Sequence, residues 1–360
     1  MKRVITLATA FALASSAVFA DEKSDRKAFR EAYKAFKEAM AYGDVGEARD
    51  QARLAFEYGE KVYGPEHKNT ATLLLNYARL IGNKKEAHDR TEDAVKRYER
   101  VYGKDAEQLI DPLIELASNS SGIGTLGDAK KHYRRALKLA EQHHPGDAFI
   151  EGQIRLEMGK IALQESQARE AIKYLDQAKT LFQTIDDPAI AEKIAETDFQ
   201  IGKYKMAKKE FKEAEKALVS SLEVFEAIAP NARMTMTNHA FLIRAYEEQG
   251  LSDLATKHCR AIGSKASVNP DQNYLPIYRA SPVYPAAALH TGKEGYAIVE
   301  LTVDENGFVR DAVVVESKGH NAFRKASLDA AQKHRYAPRF ENGEAVSTAG
   351  VRYKFSYGIR

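Results

Sequence analysis

The sequence predicts a mainly α chain, a solenoid of helical hairpins, followed by a small α+β module. Three observations predict it. An alanine-centred pattern recurs at spacings of 39, 42, 42, 43 and 41 residues between Ala48 and Ala255. After a proline-containing stretch, the hydrophobic period changes from helical to alternating. Cys259 is the only cysteine, so no internal disulfide is possible and both parts must be held by packing.

The N-terminus predicts export. Lys2 and Arg3 precede an apolar run from Val4 to Ala20 that is broken only by Thr6, Thr9, Ser15 and Ser16. It closes on Val18-Phe19-Ala20, with charged Asp21 next, the pattern of a signal cut between Ala20 and Asp21. Its 17 residues, with four hydroxyls, are short for a membrane span, which needs about 20 apolar residues. No later run is apolar enough to span a bilayer, so no integral span is expected after cleavage. The 340 residues left from 360 predict more than one domain. Removing Lys2 and Arg3 takes 54 basic residues to 52 against 51 acidic ones, a net charge of +1 that argues against nucleic acid as partner.

From Ser24 to Ser267 the helical pattern is interrupted by short Gly, Asn and Pro turns. The anchors are Ala48, Ala87, Ala129, Ala171, Ala214 and Ala255. A glycine stands five residues earlier in four units, as Gly43, Gly82, Gly124 and Gly250. A glycine there ends the first helix where a left-handed backbone is cheap. The anchor alanine lets two helix backbones approach closely. Positions twelve and thirteen before it, such as Phe36, Leu75, Gly159 and Gly202, fill the space between helices. One hairpin cannot bury its apolar stripe alone, so the units are expected to stack.

Gly82 to Ala87, and Gly124 to Ala129 followed by Tyr133 and Ala136, resemble the turn and second helix of the tetratricopeptide repeat. The period here is longer than that family's usual length of about 34 residues. The resemblance covers residues 24–267 and implies a groove lined by first helices. The position eleven before each anchor is expected to face it: Lys37, Asn76, Ser118, Lys160, Lys203 and Arg244. Lys37, Lys160, Lys203 and Arg244 would favour an acidic peptide. Gly122-Ile123-Gly124-Thr125-Leu126-Gly127 matches a dinucleotide fingerprint, but Pro112 to Ala117 before it reads as helix where that chemistry requires a strand.

Residues 268–281 hold Pro270 and Pro276 just before Pro282, and read as a stiff, extended connector. Beyond it, Ala297, Val299, Leu301 and Val303 alternate along a strand. Asn306-Gly307 signals a hairpin turn into a second strand, Val309 to Ser317. A helix is expected from Asn321 to about Tyr336, stopped by Pro338. A last strand places Val351, Tyr353, Phe355 and Tyr357 on one face and Arg352, Lys354 and Ser356 on the other.

Residues 282–360 resemble the C-terminal domain of TonB, the periplasmic protein that couples inner-membrane energy to outer-membrane transporters. The features run in order: Pro282-Val283-Tyr284-Pro285, Gly292 to Gly295, Asp304 to Gly307, Phe323 with Ala326, Arg335 to Pro338, and Asn342 to Val346. His334 stands where the family usually has tryptophan and is expected to be partly buried and hydrogen-bonded. The resemblance implies β-strand addition: an extended transporter segment pairs with the free edge of the last strand. That site would comprise Ala349, Gly350, Arg352, Lys354 and Ser356, with Tyr284 and Pro285 nearby. A family-type transducer keeps its N-terminus in the inner membrane, whereas this chain carries a predicted cleavable signal and a helical array.

No catalytic, cofactor or metal site is expected. The chain lacks a His-Glu-x-x-His run, paired cysteines, a Gly-x-Ser-x-Gly elbow and a phosphate loop. Cys259 falls in a helical pattern and reads as a packed thiol. The expected function is a periplasmic protein-binding adaptor of a Gram-negative bacterium. Its partners would be periplasmic segments of outer-membrane transporters or other TonB-system components. The alternatives are an anchored energy transducer and a general envelope scaffold.

Overall fold

The computed structural model describes residues 20–265 and 274–359. Residues 1–19 of the predicted signal, 1–20, lie outside the described residues, as do residues 266–273 of the expected connector and Arg360. The chain divides into two compact units, up to Ile185 and from Asp186. Among the described residues no helix is long and apolar enough to cross a membrane.

The first unit is four antiparallel helical hairpins. They are α1 (Ala20–Tyr42) with α2 (Val45–Tyr63), α3 (Lys68–Ala78) with α4 (Lys84–Tyr102), α5 (Ile110–Gly122) with α6 (Leu126–His143), and α7 (Ala148–Gln164) with α8 (Ala168–Gln183). Short polar side chains start several of these helices. Asp44 accepts the Glu47 amide at 3.0 Å, Asn83 those of Lys85 and Glu86 at 3.0 Å, and Asp147 that of Ile150 at 3.0 Å. Such caps contribute about 1 kcal/mol each. The second unit opens with two more hairpins, α9 (Ala191–Ala207) with α10 (Phe211–Ile228) and α11 (Arg233–Glu248) with α12 (Ser252–Lys265).

The anchor alanines do what their spacing predicts. Ala48, Ala129, Ala171, Ala214 and Ala255 are fully buried, and Ala87 is 5% exposed. Two hairpins close further through glycine. A Cβ at Gly159 would stand 2.8 Å from the Leu175 side chain, and one at Gly202 would stand 2.7 Å from Leu218. Contacts that short would force the buried Leu175 and Leu218 side chains to move, so glycine suits these first helices where they cross the second.

The turns differ in one respect from the pattern. Gly43, Gly124 and Gly250 are left-handed, with φ of 77°, 88° and 71°. The fourth and fifth hairpins keep the same backbone without glycine: Ser166 has φ 59° and Lys209 has φ 60°, each five residues before its anchor. Gly82 is not left-handed. There α3 stops at Ala78, and a looser turn carries the chain to the Asn83 cap. Gly122 to Gly127 is the α5–α6 turn with no strand before it, so the dinucleotide geometry is absent there.

The rest of the second unit is a small α+β module. It comprises α13 (Ala286–His290), β1 (Gly295–Val303), β2 (Val309–Lys318), α14 (Ala322–Ala331), β3 (Arg339–Glu341), β4 (Glu344–Val346) and β5 (Thr348–Tyr357). The main sheet is antiparallel in the order β2-β1-β5, and β3 and β4 form a separate hairpin. Its core joins Val299, Leu301 and Val303 of β1 with Phe323 and Ala331 of α14 and Val351, Phe355 and Tyr357 of β5. The module has two tight strand connections, and they differ in kind. Asn342 and Gly343 are both left-handed (φ 51° and 85°), the geometry of a two-residue hairpin turn. At Asp304–Phe308 only Gly307 is left-handed, and the loop is organised by the Asp304 carboxylate, which accepts the Asn306 and Phe308 amides at 3.0 and 2.8 Å.

The helix expected from Asn321 to Tyr336 ends at Ala331. Residues 334–336 are instead extended and buried, because the Arg335 backbone pairs with Tyr278 and Phe308.

A left-handed non-glycine residue costs about 1–2 kcal/mol, partly offset by the entropy that glycine loses on folding. Ser166→Gly and Lys209→Gly should therefore each raise stability by about 0.5–1 kcal/mol in urea unfolding. A lowered midpoint for both would show that their side chains contribute more than the backbone strain.

Candidate protein-binding edge and its docking node

β5 lies at one edge of the sheet, paired only to β1. Val351, Phe355 and Tyr357 point into the core, while Arg352, Lys354 and Ser356 are exposed. The exposed cations lean back over β1. Arg352 Nε donates to Glu300 at 2.7 Å, and Lys354 Nζ sits 4.2 Å from the Tyr296 ring centre. These contacts hold them on the sheet face. Gly350, at φ 73°, makes the irregularity where the β1–β5 register shifts, so the regular part of the edge is Val351 to Tyr357. Ala349 and Gly350 are exposed within that irregular start.

Tyr284 packs against the end of β5. The Tyr284 hydroxyl donates to the Lys293 carbonyl at 2.6 Å, and its ring packs edge-on against Phe323 and Tyr357. Pro285 precedes α13 at its N-terminus. His334 is 1% exposed among Tyr353 and Phe355, with Nε2 3.2 Å from the Ala280 carbonyl. Burial holds its pKa below the ordinary imidazole value. It is hydrogen-bonded, as expected, but fully rather than partly buried.

The module is docked on the α11–α12 hairpin by a residue whose role the sequence pattern did not reveal. Arg335 is 1% exposed. Its guanidinium donates to the Glu247 carboxylate at 2.6 Å and the Ser252 carbonyl at 3.0 Å. It also donates to the Thr256 hydroxyl and the Asn306 carbonyl, both at 2.9 Å. Its plane lies 3.7 Å from the Phe308 ring centre. Its backbone carbonyl accepts the Ile277 amide at 2.7 Å, so the end of the connector is held against the same point. Two glycines permit the approach. A Cβ at Gly263 of α12 would stand 2.3 Å from the Pro338 carbonyl, and one at Gly307 would stand 2.2 Å from the Tyr336 carbonyl. Cys259 is fully buried at this contact, and burial pushes its thiol up to about 11, which keeps it protonated and unreactive.

The same hairpin carries a buried histidine pair. His239 and His258 are 2% and 3% exposed, and their Nδ1 atoms lie 2.9 Å apart. One must donate and the other accept, so at least one ring is neutral. Glu226 of α10 faces His239 Nε2 at 3.2 Å, and the Tyr246 ring stacks on His258. Lys257 and Lys265 oppose protonation from α12. Burial, then the facing His239, holds His258 down at about 3.

The positions expected to line a groove behave unequally. In the first unit Lys37 is exposed on α1 and Lys160 on α7 donates to Glu157 at 2.7 Å. In the second, Lys203 on α9 donates to Gln200 at 3.2 Å and Arg244 is exposed on α11. Ser118 is exposed, but Asn76 is 4% exposed and packed inside the second hairpin. The eleventh position is therefore not a uniform solvent-facing line: Asn76 is buried where Lys37, Ser118 and Arg244 are exposed. The residues of the predicted cleavage point, Ala20 and Asp21, begin α1. Among the described residues no group of three His, Cys, Asp or Glu side chains could hold a metal ion.

Residues 280–358 match the family model of the Gram-negative bacterial TonB protein C-terminal, so the module is a TonB C-terminal domain. The helical hairpins are tetratricopeptide-like. The hetero-tetramer of APC/C components Cut9 and Hcn1 aligns at 15% identity and TM-score 0.50, over 70% of this chain and 44% of that one. BtubC (BKLC) from P. vanneervenii aligns at 16% identity and TM-score 0.47, over 73% and 98%. MamA from Desulfovibrio magneticus RS-1 aligns at 16% identity and TM-score 0.40, over 54% and 94%. A comparison with curated protein sequences gives no match.

Removing one partner of a buried ion pair costs about 3–5 kcal/mol, whereas replacing both with apolar groups is close to neutral. Arg335→Met should lower stability on that scale, and adding Glu247→Met should restore much of it. Urea unfolding of the two variants checks this, and equal losses in both would remove Arg335 from the docking role. The histidine pair sets a pH dependence. Folding depresses both pKa values, so its contribution is complete above the ordinary value of 6.5 and is lost as pH falls toward about 3. Unfolding midpoints should fall more steeply over that window in the native chain than in His258→Phe; parallel profiles would contradict it.

Proposed function

We propose that the chain is an exported, periplasmic protein-binding adaptor accessory to TonB-dependent outer-membrane transport. The observation that carries this reading is the free edge of β5 in a TonB C-terminal domain. An open edge offers backbone donors and acceptors to any extended chain, with little demand on its sequence. Val351 to Tyr357 offers enough length for a short added strand, and its inward side chains are fixed by the core. Arg352 and Lys354 border the edge and favour a strand with acidic or polar side chains beside it. The fitting partner is a periplasmic segment of an outer-membrane transporter. Export rests on the basic start, the apolar run to Ala20 and the small residues before Asp21.

Hydrogen exchange on the full chain with a synthetic transporter segment tests the reading. Strand addition should slow exchange at amides within residues 351–357 and leave β2 unchanged. Binding without protection there, or with protection only along β2, would place the partner elsewhere.

A further inference from the structure

We infer that the other edge of the sheet, β2, is closed: one extra residue at Asp311 and another at Val315 stop an extended chain, a second copy of this one above all, from adding there. The sheet order β2-β1-β5 leaves two edges, and among the described residues each edge strand pairs only with β1. Both edges therefore carry backbone donors and acceptors that the sheet does not use. By composition β2 is the more hazardous of the two. Val313-Val314-Val315 is the only run of three valines in the sequence. Val313 and Val315 are 54% and 46% exposed. An uncharged, β-branched run on an open edge invites pairing with its own copy.

The β1–β2 register contains the obstacle. Ile298 pairs with Glu316 and Val299 with Val314, so Val315 is left over. Glu300 pairs with Val313 and Thr302 with Arg310, so Leu301 alone stands opposite Asp311 and Ala312. Each is a β-bulge, two residues against one. Asp311 has φ 51°, a left-handed backbone that glycine ordinarily supplies in a bulge. The two extra residues divide β2 into Val309–Arg310, Val313–Val314 and Glu316–Lys318. An incoming strand cannot follow such an edge in continuous register, because each bulge breaks the ladder and twists the strand. Charge flanks both breaks: Arg310 and Asp311 are exposed at one, Glu316 and Lys318 at the other. In β5, by contrast, the pairs run unbroken from Val351 to Tyr357, and the one shift lies before them, by Gly350. That the added strand goes to β5 rests on the reading proposed above; that β2 is closed does not.

Hydrogen exchange on the full chain tests this, with a synthetic peptide copying residues 309–318 as the probe. Excess peptide should leave exchange within 309–318 of the native chain unchanged. Deleting Asp311 and Val315 together evens the pairing and keeps the core face, since Val309, Ala312 and Val314 then alternate with Arg310, Val313 and Glu316. In that variant the peptide should slow exchange along β2 at least about tenfold. The variant should also self-associate in sedimentation at least about tenfold more tightly than the native chain, and Val313→Lys within it should reverse both changes. If the double deletion does not fold, deletion of Val315 alone should show the protection over residues 312–318. Slowed exchange along β2 of the native chain overturns the proposal, as does a folded deletion variant that neither binds the peptide nor associates. If β2 opens on deletion while a transporter segment protects neither edge of the native chain, the β5 reading fails and the closed β2 stands.

Discussion

The second unit depends on one buried cation. A guanidinium withdrawn from water is costly unless most of its donors are met. At Arg335 both terminal nitrogens find acceptors, on α11, α12 and the β1–β2 hairpin tip, and the buried Nε has none. None of these elements alone could satisfy it. The arrangement exists only when the last helical hairpin and the module fold against each other. Net stability is not the main consequence, since an apolar pair of the same volume would serve comparably. The consequence is register. An apolar contact could slide, whereas Glu247, Ser252 and Thr256 fix where the module sits. Gly263 and Gly307 then let backbone approach backbone around that point.

This docking also solves a problem of repeat architecture. A terminal hairpin exposes the face that the next repeat would cover. Here α12 sends Cys259 and Gly263 toward the module and buries both. The module's Pro338 and Phe340 stand where a further helix would otherwise be needed.

Much of the fold was legible because it repeats or alternates. The anchor alanines recur because each hairpin meets the same steric demand, and a demand met six times leaves a period in the sequence. The alternation in β1 and β5 is visible because one face of each strand is core. Other features were not legible because they are met once or from far away. Ser166 and Lys209 adopt a left-handed turn without the residue that announces it, the surrounding helices imposing the backbone. The early end of α14 is set by pairing of Arg335 with Tyr278, which no local signal encodes. Arg335 and Glu247 are 88 residues apart, and neither is unusual in its own window. The edge residues of β5 were legible from the alternating pattern and the family resemblance.

The docked module changes how a strand-adding site should be understood in this chain. A module on a free tether gains local concentration but must lose orientational freedom each time it binds. Residues 274–278 do not act as a loose tether, because Ile277 and Tyr278 are hydrogen-bonded to Arg335 and the Tyr274 hydroxyl to Ala337. The docking contacts come from the hairpin tip, the Arg335 segment and the β3 region. β5 lies on the other side of β1 from β2, and the hydrogen bonds from the module to Glu247, Ser252 and Thr256 come from Arg335, not from Val351 to Tyr357. The elements that hold the module are thus distinct from the edge that it offers. An incoming strand meets an edge whose position on the α11–α12 hairpin is already set, so the orientational cost is met during folding rather than at each encounter.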